Sequence, residues 1–256
     1  MRNIRIAVSY DGTQYNGFQV QPGKPTVQGK LQEAICAVTS ESVTLYASGR
    51  TDAGVHARAQ IANFFTHARL PIDRWCRALN AHLPDDIVVW AADEVPETFH
   101  ARKSAVRKTY RYVINANRHP DPLMRHRELH HPGALDIQAM AAAMRHLEGE
   151  HDFTSFCSIH SSSESKVRTI YEAKLNYAPV EGMEDTAGVG RIQLCFTGNG
   201  FLYNMVRIMA GTLLQVGEGK LHADDIPCII ERKDRTAAGP TAKPHGLILW
   251  QVDYDL

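Results

Sequence analysis

The chain has 256 residues, with 28 Lys and Arg against 28 Asp and Glu, so its formal net charge is zero. This balance argues against a histone-like or tail-driven nucleic-acid binder, and no apolar stretch approaches the roughly 18–20 residues that span a bilayer. The first residues resemble a strand rather than a signal peptide. The five cysteines lie far apart without a CxxC pair, which is typical of free thiols in a reducing compartment. We therefore expect a cytoplasmic protein.

The first half of the chain alternates between strand-like and helical patterns of apolar residues. Thr26 precedes an apolar stripe at helical spacing and is a suitable N-cap for the first helix. In chain order we predict a strand at Ile4–Tyr10, a helix at Thr26–Thr39, strands at Val43–Ala47 and Ala59–Phe65, a helix at Asp73–Ala81 and a strand at Ile87–Ala91.

The second half has a similar succession of patterns. We predict a strand at Thr109–Ile114, a helix at Leu135–His146, strands at Thr169–Tyr177 and Arg191–Thr197, a long apolar helix at Leu202–Val216 and a strand at Leu247–Tyr254. This order of elements predicts an α+β protein in which mostly antiparallel sheets carry helices on one face.

One segment, His100–His131, departs from the neutral average and is called the basic segment below. It holds eight Lys and Arg against two acids, a local charge of +6 that leaves −6 for the rest of the chain. A solvated surface is one interpretation, and a phosphate-binding surface for nucleic acid is the other. Tyr110 and Tyr112 favour the second, because aromatic rings among cations can stack on bases. The basic residues are Arg102, Lys103, Arg107, Lys108, Arg111, Arg118, Arg125 and Arg127.

A polar loop between two predicted strands, Ser48–Ala57, holds the strongest local signal. Asp52 lies in it with a glycine on either side and with Arg50 and Arg58 nearby. Asp and Gly favour turns for backbone reasons alone, so a simple turn is one interpretation. In the chemical interpretation the glycines let backbone or substrate approach closely, and an ionised Asp52 acts as nucleophile or base.

The long helix predicted in the second half carries one arginine. It lies on a helix face whose residues recur every three or four positions. Arg207 is flanked by Val206 and Ile208. Its guanidinium therefore either extends to water or pairs with a buried carboxylate, for which Asp52 is a candidate.

Several other apparent motifs fail. The two glycine pairs of the second half lack the third glycine of a dinucleotide-binding loop, and there is no P-loop, so ATP-driven chemistry is not expected. The stretch His126–His130 matches neither HExxH nor its inverted form. We do not expect a zinc site there.

The loop block Gly49–Ala57 is the most specific of a series of short blocks that occur in a fixed order. The others are Val8–Gly12 with Gly17–Gln19, Thr26–Gln32, Phe99–Arg102, Lys108–Tyr112, Gly200–Arg207, and Ala238–Ala242 with Gly246 and Leu247. Together they resemble the TruA family of tRNA pseudouridine synthases, and the resemblance runs essentially end to end. The family often has a second proline where Lys243 stands, a departure that affects no catalytic residue.

The resemblance implies an isomerase that converts uridine to pseudouridine at positions 38, 39 and 40 in the anticodon stem-loop of tRNA. It implies that Asp52 is the catalytic nucleophile, that Tyr110 packs on the target uracil, and that Arg207 supports catalysis by pairing with the Asp52 carboxylate. The family needs no metal, cofactor or energy source. It typically forms a homodimer that holds one tRNA across both subunits.

The resemblance also implies two similar ferredoxin-like halves with an active-site cleft between them. We place the first half at residues 1–100, with the Asp52 loop, and the second at residues 101–256, with the Tyr110 and Arg207 motifs and RNA-binding segments.

A stacked base must leave its stack before it can be processed, at a cost of a few kcal/mol. Arg50 or Arg58 is expected to hold the opened backbone or to fill the vacated stack, and the sequence does not choose between them. Arg102, Lys103 and Arg107 are expected to belong to the tRNA cradle. The residues also leave open whether Asp52 attacks the sugar or the uracil ring.

The sequence leaves three alternative functions open. The first is a non-catalytic RNA-binding module, although a carboxylate that faces RNA would repel phosphate unless it had a chemical task. The second is a metal-dependent hydrolase that uses the histidines of the basic segment. The third is a related synthase with another uridine target.

Overall fold

The computed structural model describes residues 1–179 and 188–255. This part of the chain forms a mixed α+β fold with mostly antiparallel strand pairs, which confirms this part of the predicted fold class. The strands are β1 Arg2–Tyr10, β2 Tyr46–Ala47, β3 His56–Thr66, β4 Ile87–Val95, β5 Ala105–Asn115, β6 Leu129–His130, β7 Gly149–Asp152, β8 Val167–Pro179, β9 Gly190–Gly198 and β10 Leu247–Tyr254. The helices are α1 Val27–Thr39, α2 Trp75–Asn80, α3 Ile137–Arg145, α4 Met205–Gly217 and α5 Asp225–Arg232.

Most predicted elements are confirmed within a few residues, and β10 has the predicted bounds. Thr26 is the N-cap of α1, where its side chain accepts a hydrogen bond from the backbone N–H of Gly29. The short strands β6 and β7 and the helix α5 were not predicted. Strands of two to four residues are too short to show a period in the sequence.

The strands around the Asp52 loop differ from the prediction. Only Tyr46 and Ala47 of the predicted strand Val43–Ala47 form one, whereas β3 begins at His56 rather than at Ala59. The reason is pairing with β1, in which Tyr10 lies opposite Ala57 and extends the ladder toward the loop. The loop that holds Asp52 is therefore shorter at its C-terminal side than the sequence suggested.

By packing, the chain divides into two compact units, Met1–Lys108 with Ile248–Leu256 and Thr109–Leu247. We call them the Asp52 unit and the Tyr110 unit. The predicted domains, 1–100 and 101–256, stay a prediction.

In the Asp52 unit the sheet order is β4-β1-β3-β10, with β2 on β3. Strand β1 is antiparallel to both of its neighbours, while β10 runs parallel to β3. Helices α1 and α2 pack on each other, and Trp75 at the start of α2 meets Phe64 of β3 edge-on with ring centroids 5.4 Å apart. These buried rings form the core that holds β1 and β3 in place.

In the Tyr110 unit the sheet order is β5-β9-β8-β7, with β6 parallel to β5. Strand β8 is antiparallel to β7 and β9. Strand β9 alternates buried and more exposed residues, as expected for a sheet with one face on the core. Helix α3 packs on α4 and on β8.

Helix α4 begins three residues later than predicted, at Met205 rather than Leu202. The cause is Asn204, which has the left-handed backbone conformation with φ +61° and so cannot continue a helix toward its N-terminal side. Nearly every residue of α4 is buried, and Arg207 and Gln215 are half-buried. A helix that is apolar on all sides is typical of a core position.

No helix in the described part of the chain is long and apolar enough to cross a membrane.

Candidate active site

Asp52 begins a tight turn between β2 and β3. The backbone N–H of Val55 donates to the Asp52 carbonyl oxygen at 3.1 Å. Gly54 inside the turn has φ +75°, a conformation that favours glycine. The Asp52 side chain is half-buried at this turn. The turn interpretation and the chemical interpretation are therefore compatible, since a rigid turn holds the carboxylate.

The Asp52 turn is fastened to the segment that follows β1. The Phe18 N–H donates to the Thr51 carbonyl oxygen at 3.0 Å, and the Gly54 N–H donates to the Tyr15 carbonyl oxygen at 3.3 Å. A Cβ atom on Gly17, which has φ +90°, would lie 2.7 Å from the Thr51 carbonyl oxygen. Two motif blocks that are far apart in sequence thus form one structure, and Gly17 is needed for their close approach.

A buried hydrogen bond also connects the same turn to β1. The hydroxyl groups of Tyr10 and Thr51 lie 2.7 Å apart. Burial raises the pKa of Tyr10 above its ordinary value, so this phenol stays protonated at neutral pH. We assign Tyr10 to holding the turn, which sequence reasoning missed.

His56 ties the C-terminal side of the loop to the end of β1. It is 4% exposed, and its Nδ1 lies 3.0 Å from the backbone nitrogen of Gly12 and 3.2 Å from Oδ1 of Asp11. A Cβ on Gly12 would meet the Val55 carbonyl oxygen. Asp11 and Gly12, which follow β1, therefore pack directly against the C-terminal side of the Asp52 loop.

Lys108 holds the N-terminal side of the loop. Its Nζ donates to the Ser48 carbonyl oxygen at 2.7 Å, and the amide of Gln60 donates to the Gly49 carbonyl oxygen at 2.8 Å. Lys108 was counted among the cations of the basic segment, and the structure shows it also positions the backbone before Asp52.

The two arginines flanking Asp52 in sequence have different surroundings. Arg50 is exposed in the loop. Arg58 is exposed on β3, with its guanidinium carbon 4.7 Å from the ring centroid of Trp250, and its carbonyl oxygen accepts a hydrogen bond from Trp90 Nε1 at 3.2 Å. Stacking on Trp250 restrains the Arg58 side chain. Sequence reasoning missed Trp250, which lies about 190 residues away along the chain.

In the Tyr110 unit, Tyr110 lies on β5 and is 8% exposed. Its ring packs edge-on against Phe201 with centroids 5.1 Å apart and an interplanar angle of 79°. Phe201 belongs to the Gly200–Arg207 block, so this block and the Lys108–Tyr112 block meet at these two rings. The contact fixes the plane of Tyr110.

Arg207 is held by neighbouring polar groups of the same unit. Its Nε donates to the Ala242 carbonyl oxygen at 2.8 Å, and its Nη1 donates to Oδ1 of Asn204 at 2.9 Å. The half-buried guanidinium therefore has a fixed plane. Asn204 supplies both the left-handed start of α4 and this hydrogen bond.

The Ala238–Ala242 block packs directly on α4. A Cβ on Gly211 would lie 1.8 Å from the Pro240 carbonyl oxygen, and the Gly239 N–H donates to Oγ1 of the buried Thr212 at 2.9 Å. This approach brings the Ala242 carbonyl to Arg207. The block thus serves to orient the arginine.

Lys243, where the family often has a proline, contributes a backbone atom. The hydroxyl of the buried Tyr112 donates to the Lys243 carbonyl oxygen at 2.7 Å, and burial raises the pKa of Tyr112 above its ordinary value. A carbonyl is available from lysine and proline alike. This contact therefore does not depend on which side chain stands at position 243.

The residues expected to form the tRNA cradle are exposed. Arg102 and Lys103 follow a turn in which their backbone N–H groups point to Nδ1 of His100, at 3.1 and 3.5 Å, and Arg107 is exposed on β5. Arg102, Lys103 and Arg107 lie in the Asp52 unit, so the structure divides the basic segment between the two units.

Both acidic side chains of the basic segment form ion pairs with Arg191. Arg191 on β9 donates to Oε2 of Glu128 at 2.7 Å and to Oδ2 of Asp121 at 2.8 Å. The Leu123 N–H and then Arg191 lower the pKa of Asp121 below its ordinary value, and Glu128 raises that of Arg191. Neither acid therefore needs a cation of the basic segment as its partner.

In the described part of the chain, no three His, Cys, Asp or Glu side chains cluster closely enough to hold a metal ion.

The model of one enzyme family, described as tRNA pseudouridine synthase, matches residues 6–103 and 143–255. These residues include both sides of the Asp52 loop and the Arg207 block. The chain belongs to the tRNA pseudouridine synthase family.

Its relatives define the type more narrowly. A protein of Bacillus velezensis named tRNA pseudouridine synthase A is 49% identical over 98% of this chain and 99% of its own. Proteins of the same name from Bacillus subtilis and Anoxybacillus flavithermus are 47% and 48% identical over 98% and 100% of this chain. A solved structure of a Cbf5–Nop10–Gar1 complex covers 82% of this chain and 54% of its own at 12% identity, with a TM-score of 0.34, a loose likeness.

Proposed function

We propose that the protein converts uridine to pseudouridine in the anticodon stem-loop of tRNA, at the positions that the resemblance implies. The observation that carries this proposal is near-full-length similarity to relatives named tRNA pseudouridine synthase A, at 49% identity over 98% of the chain. The reaction breaks the bond between C1′ of the ribose and N1 of uracil and forms a bond from C1′ to C5. The C5 proton is lost and N1 gains one, so no electrons are gained or lost overall.

Asp52 is the proposed nucleophile. A carboxylate can attack only in its ionised form, and a fixed turn keeps its geometry constant between turnovers. The hydrogen bonds from Phe18 and Gly54 that fasten this turn support the assignment.

Tyr110 is the proposed stacking partner of the target uracil. The edge-on contact with Phe201 orients its ring, and stacking of a base on an aromatic side chain contributes about 1–3 kcal/mol. An oriented ring loses less conformational entropy when the base arrives.

Arg207 is the proposed catalytic support, acting on the Asp52 carboxylate through a charge-assisted interaction. The carbonyl of Ala242 and the amide of Asn204 fix the guanidinium plane. Such a preorganised cation favours the ionised form of a carboxylate.

Arg50, Arg58, Arg102, Lys103 and Arg107 are the proposed RNA-binding residues, and all five are exposed. Between the first two, the cation–π contact to Trp250 favours Arg58 as a fixed backbone contact, which leaves the loop residue Arg50 to fill the vacated stack. Homodimer formation, a cytoplasmic location and a relation of the two units as ferredoxin-like halves complete the proposal.

The test uses Asp52→Asn, which removes the nucleophile and keeps the size of the side chain. Pseudouridine is measured in tRNA transcripts, together with transcripts in which each anticodon stem-loop uridine is replaced by cytidine. We expect Asp52→Asn to lose at least about ten-thousandfold in turnover while its tRNA affinity stays within about fivefold.

The matched control is Asp73→Asn, an exposed aspartate of the same unit, which should keep wild-type turnover. Near wild-type turnover by Asp52→Asn would refute the nucleophile assignment. Product that persists after all anticodon stem-loop uridines are replaced would refute the proposed position instead.

A further inference from the structure

Arg168 lies at the start of β8 in the Tyr110 unit, beside the Gly200–Arg207 block. The Thr169 N–H donates to Oδ1 of Asn199, and the Asn199 N–H donates to the Thr169 carbonyl oxygen, both at 3.0 Å. A Cβ on Gly200 would lie 3.6 Å from Nε of Arg168. The side chain of Arg168 therefore borders the space directly over Gly200.

This space is linked through Phe201 to the proposed uracil-stacking residue. Gly200 precedes Phe201, and the Phe201 ring packs edge-on against Tyr110. Gly200 has no side chain to cover the Arg168 guanidinium. Arg168 is thus connected to Tyr110 through two consecutive residues of the same unit, Gly200 and Phe201.

The hydrogen bonds of Arg168 leave one edge of its guanidinium available. Nη1 donates to the carbonyl oxygens of Ser165 and Val167 at 3.1 and 2.6 Å, and Nη2 donates to Oγ of Ser163 at 3.0 Å. A guanidinium has five N–H donors. In residues 1–179 and 188–255 the Nε–H has no partner and Nη2 makes one hydrogen bond, so the Nε side of the guanidinium can donate to a phosphate oxygen.

All hydrogen-bond partners of Arg168 in the described part of the chain are neutral, and the titratable group that acts on its charge is the Cys157 thiol. Its side chain is half-buried, and burial lowers the pKa of the guanidinium below its ordinary value, although an arginine stays protonated at any physiological pH. Glu164 in the same loop is exposed and forms no ion pair with it, and Lys166 donates to the carbonyl oxygens of Ser161 and Ser163. A partly desolvated cation with only neutral partners is stabilised by an incoming anion.

We propose that Arg168 binds a backbone phosphate of the RNA beside the target uridine and thereby positions the base against Tyr110. The proposal rests on the proposed function and names a phosphate contact within it. Ser163, Ser165 and Val167 hold the guanidinium in the required plane. Arg168 is a substrate-positioning residue and takes no part in bond breaking.

The experiment combines protein and RNA changes. Anticodon stem-loop RNAs carry one neutral methylphosphonate in place of each phosphate within about three nucleotides of the target uridine. Their affinities are measured for the wild type, Arg168→Ala and Arg168→Gln, at several salt concentrations. Arg145→Ala is the matched control, since Arg145 is an exposed arginine at the end of α3 in the same unit.

We expect Arg168→Ala to bind unmodified RNA about tenfold more weakly, with a slope of log affinity against log salt that is smaller by about 0.7–0.9, the value for one phosphate contact. Relative to unmodified RNA, one of the methylphosphonate RNAs should bind the wild type and Arg145→Ala about tenfold more weakly. The same RNA should lose less than twofold in affinity for Arg168→Ala. Arg168→Gln keeps a donor for the serine loop and should behave as Arg168→Ala does.

A structural role alone would lower the melting temperature of Arg168→Ala but leave its salt slope unchanged, and that result would overturn the proposal. Equal losses for every modified RNA in the wild type and in both Arg168 variants would overturn it as well. A wild-type protein that forms no pseudouridine in any tRNA would instead contradict the proposed function, which separates the two failures.

Discussion

At the scale of single residues, the Asp52 loop depends on atoms that carry no catalytic chemistry. Gly17 lets the segment after β1 approach the Thr51 carbonyl, and the Tyr10 hydroxyl meets Thr51 from the core. Lys108 holds the backbone on the other side of the loop. The Asp52 loop is therefore held from outside by one close backbone approach and two side-chain contacts.

The orientation of Arg207 also depends on a glycine, because Gly211 lets the Pro240 segment approach α4 closely. We expect Gly211→Ala to destabilise the protein by about 1–3 kcal/mol, because the new Cβ would lie 1.8 Å from the Pro240 carbonyl oxygen and must displace backbone. The measurement is urea unfolding at equilibrium. Gly49→Ala is the control, since its Cβ would meet only Lys108 Nζ at an ordinary 3.6 Å. Equal unfolding midpoints for the two variants would show that α4 and the Pro240 segment can separate without cost.

At the scale of elements, the best predicted helix is the one whose start is encoded locally. Thr26 has an extended backbone, and its hydroxyl oxygen accepts a hydrogen bond from the Gly29 N–H at 3.3 Å. Helix α4 shows the opposite case. Its apolar pattern begins at Leu202, but the helix begins only after Asn204, whose side chain is used to hold Arg207.

The cap of α1 can be tested directly. We expect Thr26→Ala to lower the free energy of unfolding by about 1 kcal/mol, because one helix N–H loses its partner. Thr26→Ser keeps the hydroxyl and should retain most of the stability. The measurement is the urea midpoint at constant m-value. An alanine variant as stable as the serine variant would show that the cap contributes nothing.

At the scale of the whole molecule, zero net charge conceals an uneven distribution. The basic segment carries +6, and its two acids are bound by Arg191, which lies outside it. Several cations of the segment are exposed, as an anionic partner would require. Because each phosphate contact adds about 0.7–0.9 to the salt slope, the distribution of charge has a measurable consequence.

We expect replacement of Arg102, Lys103 and Arg107 together by glutamine to weaken tRNA binding at least about tenfold and to reduce the salt slope by about two. The control removes the same charge at three scattered exposed positions of the same unit, Lys24, Arg69 and Arg77. Affinity and slope are measured by equilibrium binding. Equal effects in the two triple variants would mean that only total charge matters, and the cradle would be refuted.

The sequence alone determined the fold class, most elements, the N-cap of α1 and the family, because these depend on local periodicity, on capping and on short motifs that keep their order. It also singled out Asp52, Tyr110 and Arg207, which belong to such motifs. Only the tertiary structure showed that Tyr10 and Gly17 hold the Asp52 turn, that Trp250 stacks on Arg58, and that the space over Gly200 is bordered by Arg168. These contacts join residues that are tens to hundreds of positions apart, and no local pattern in the chain records which distant atoms will meet.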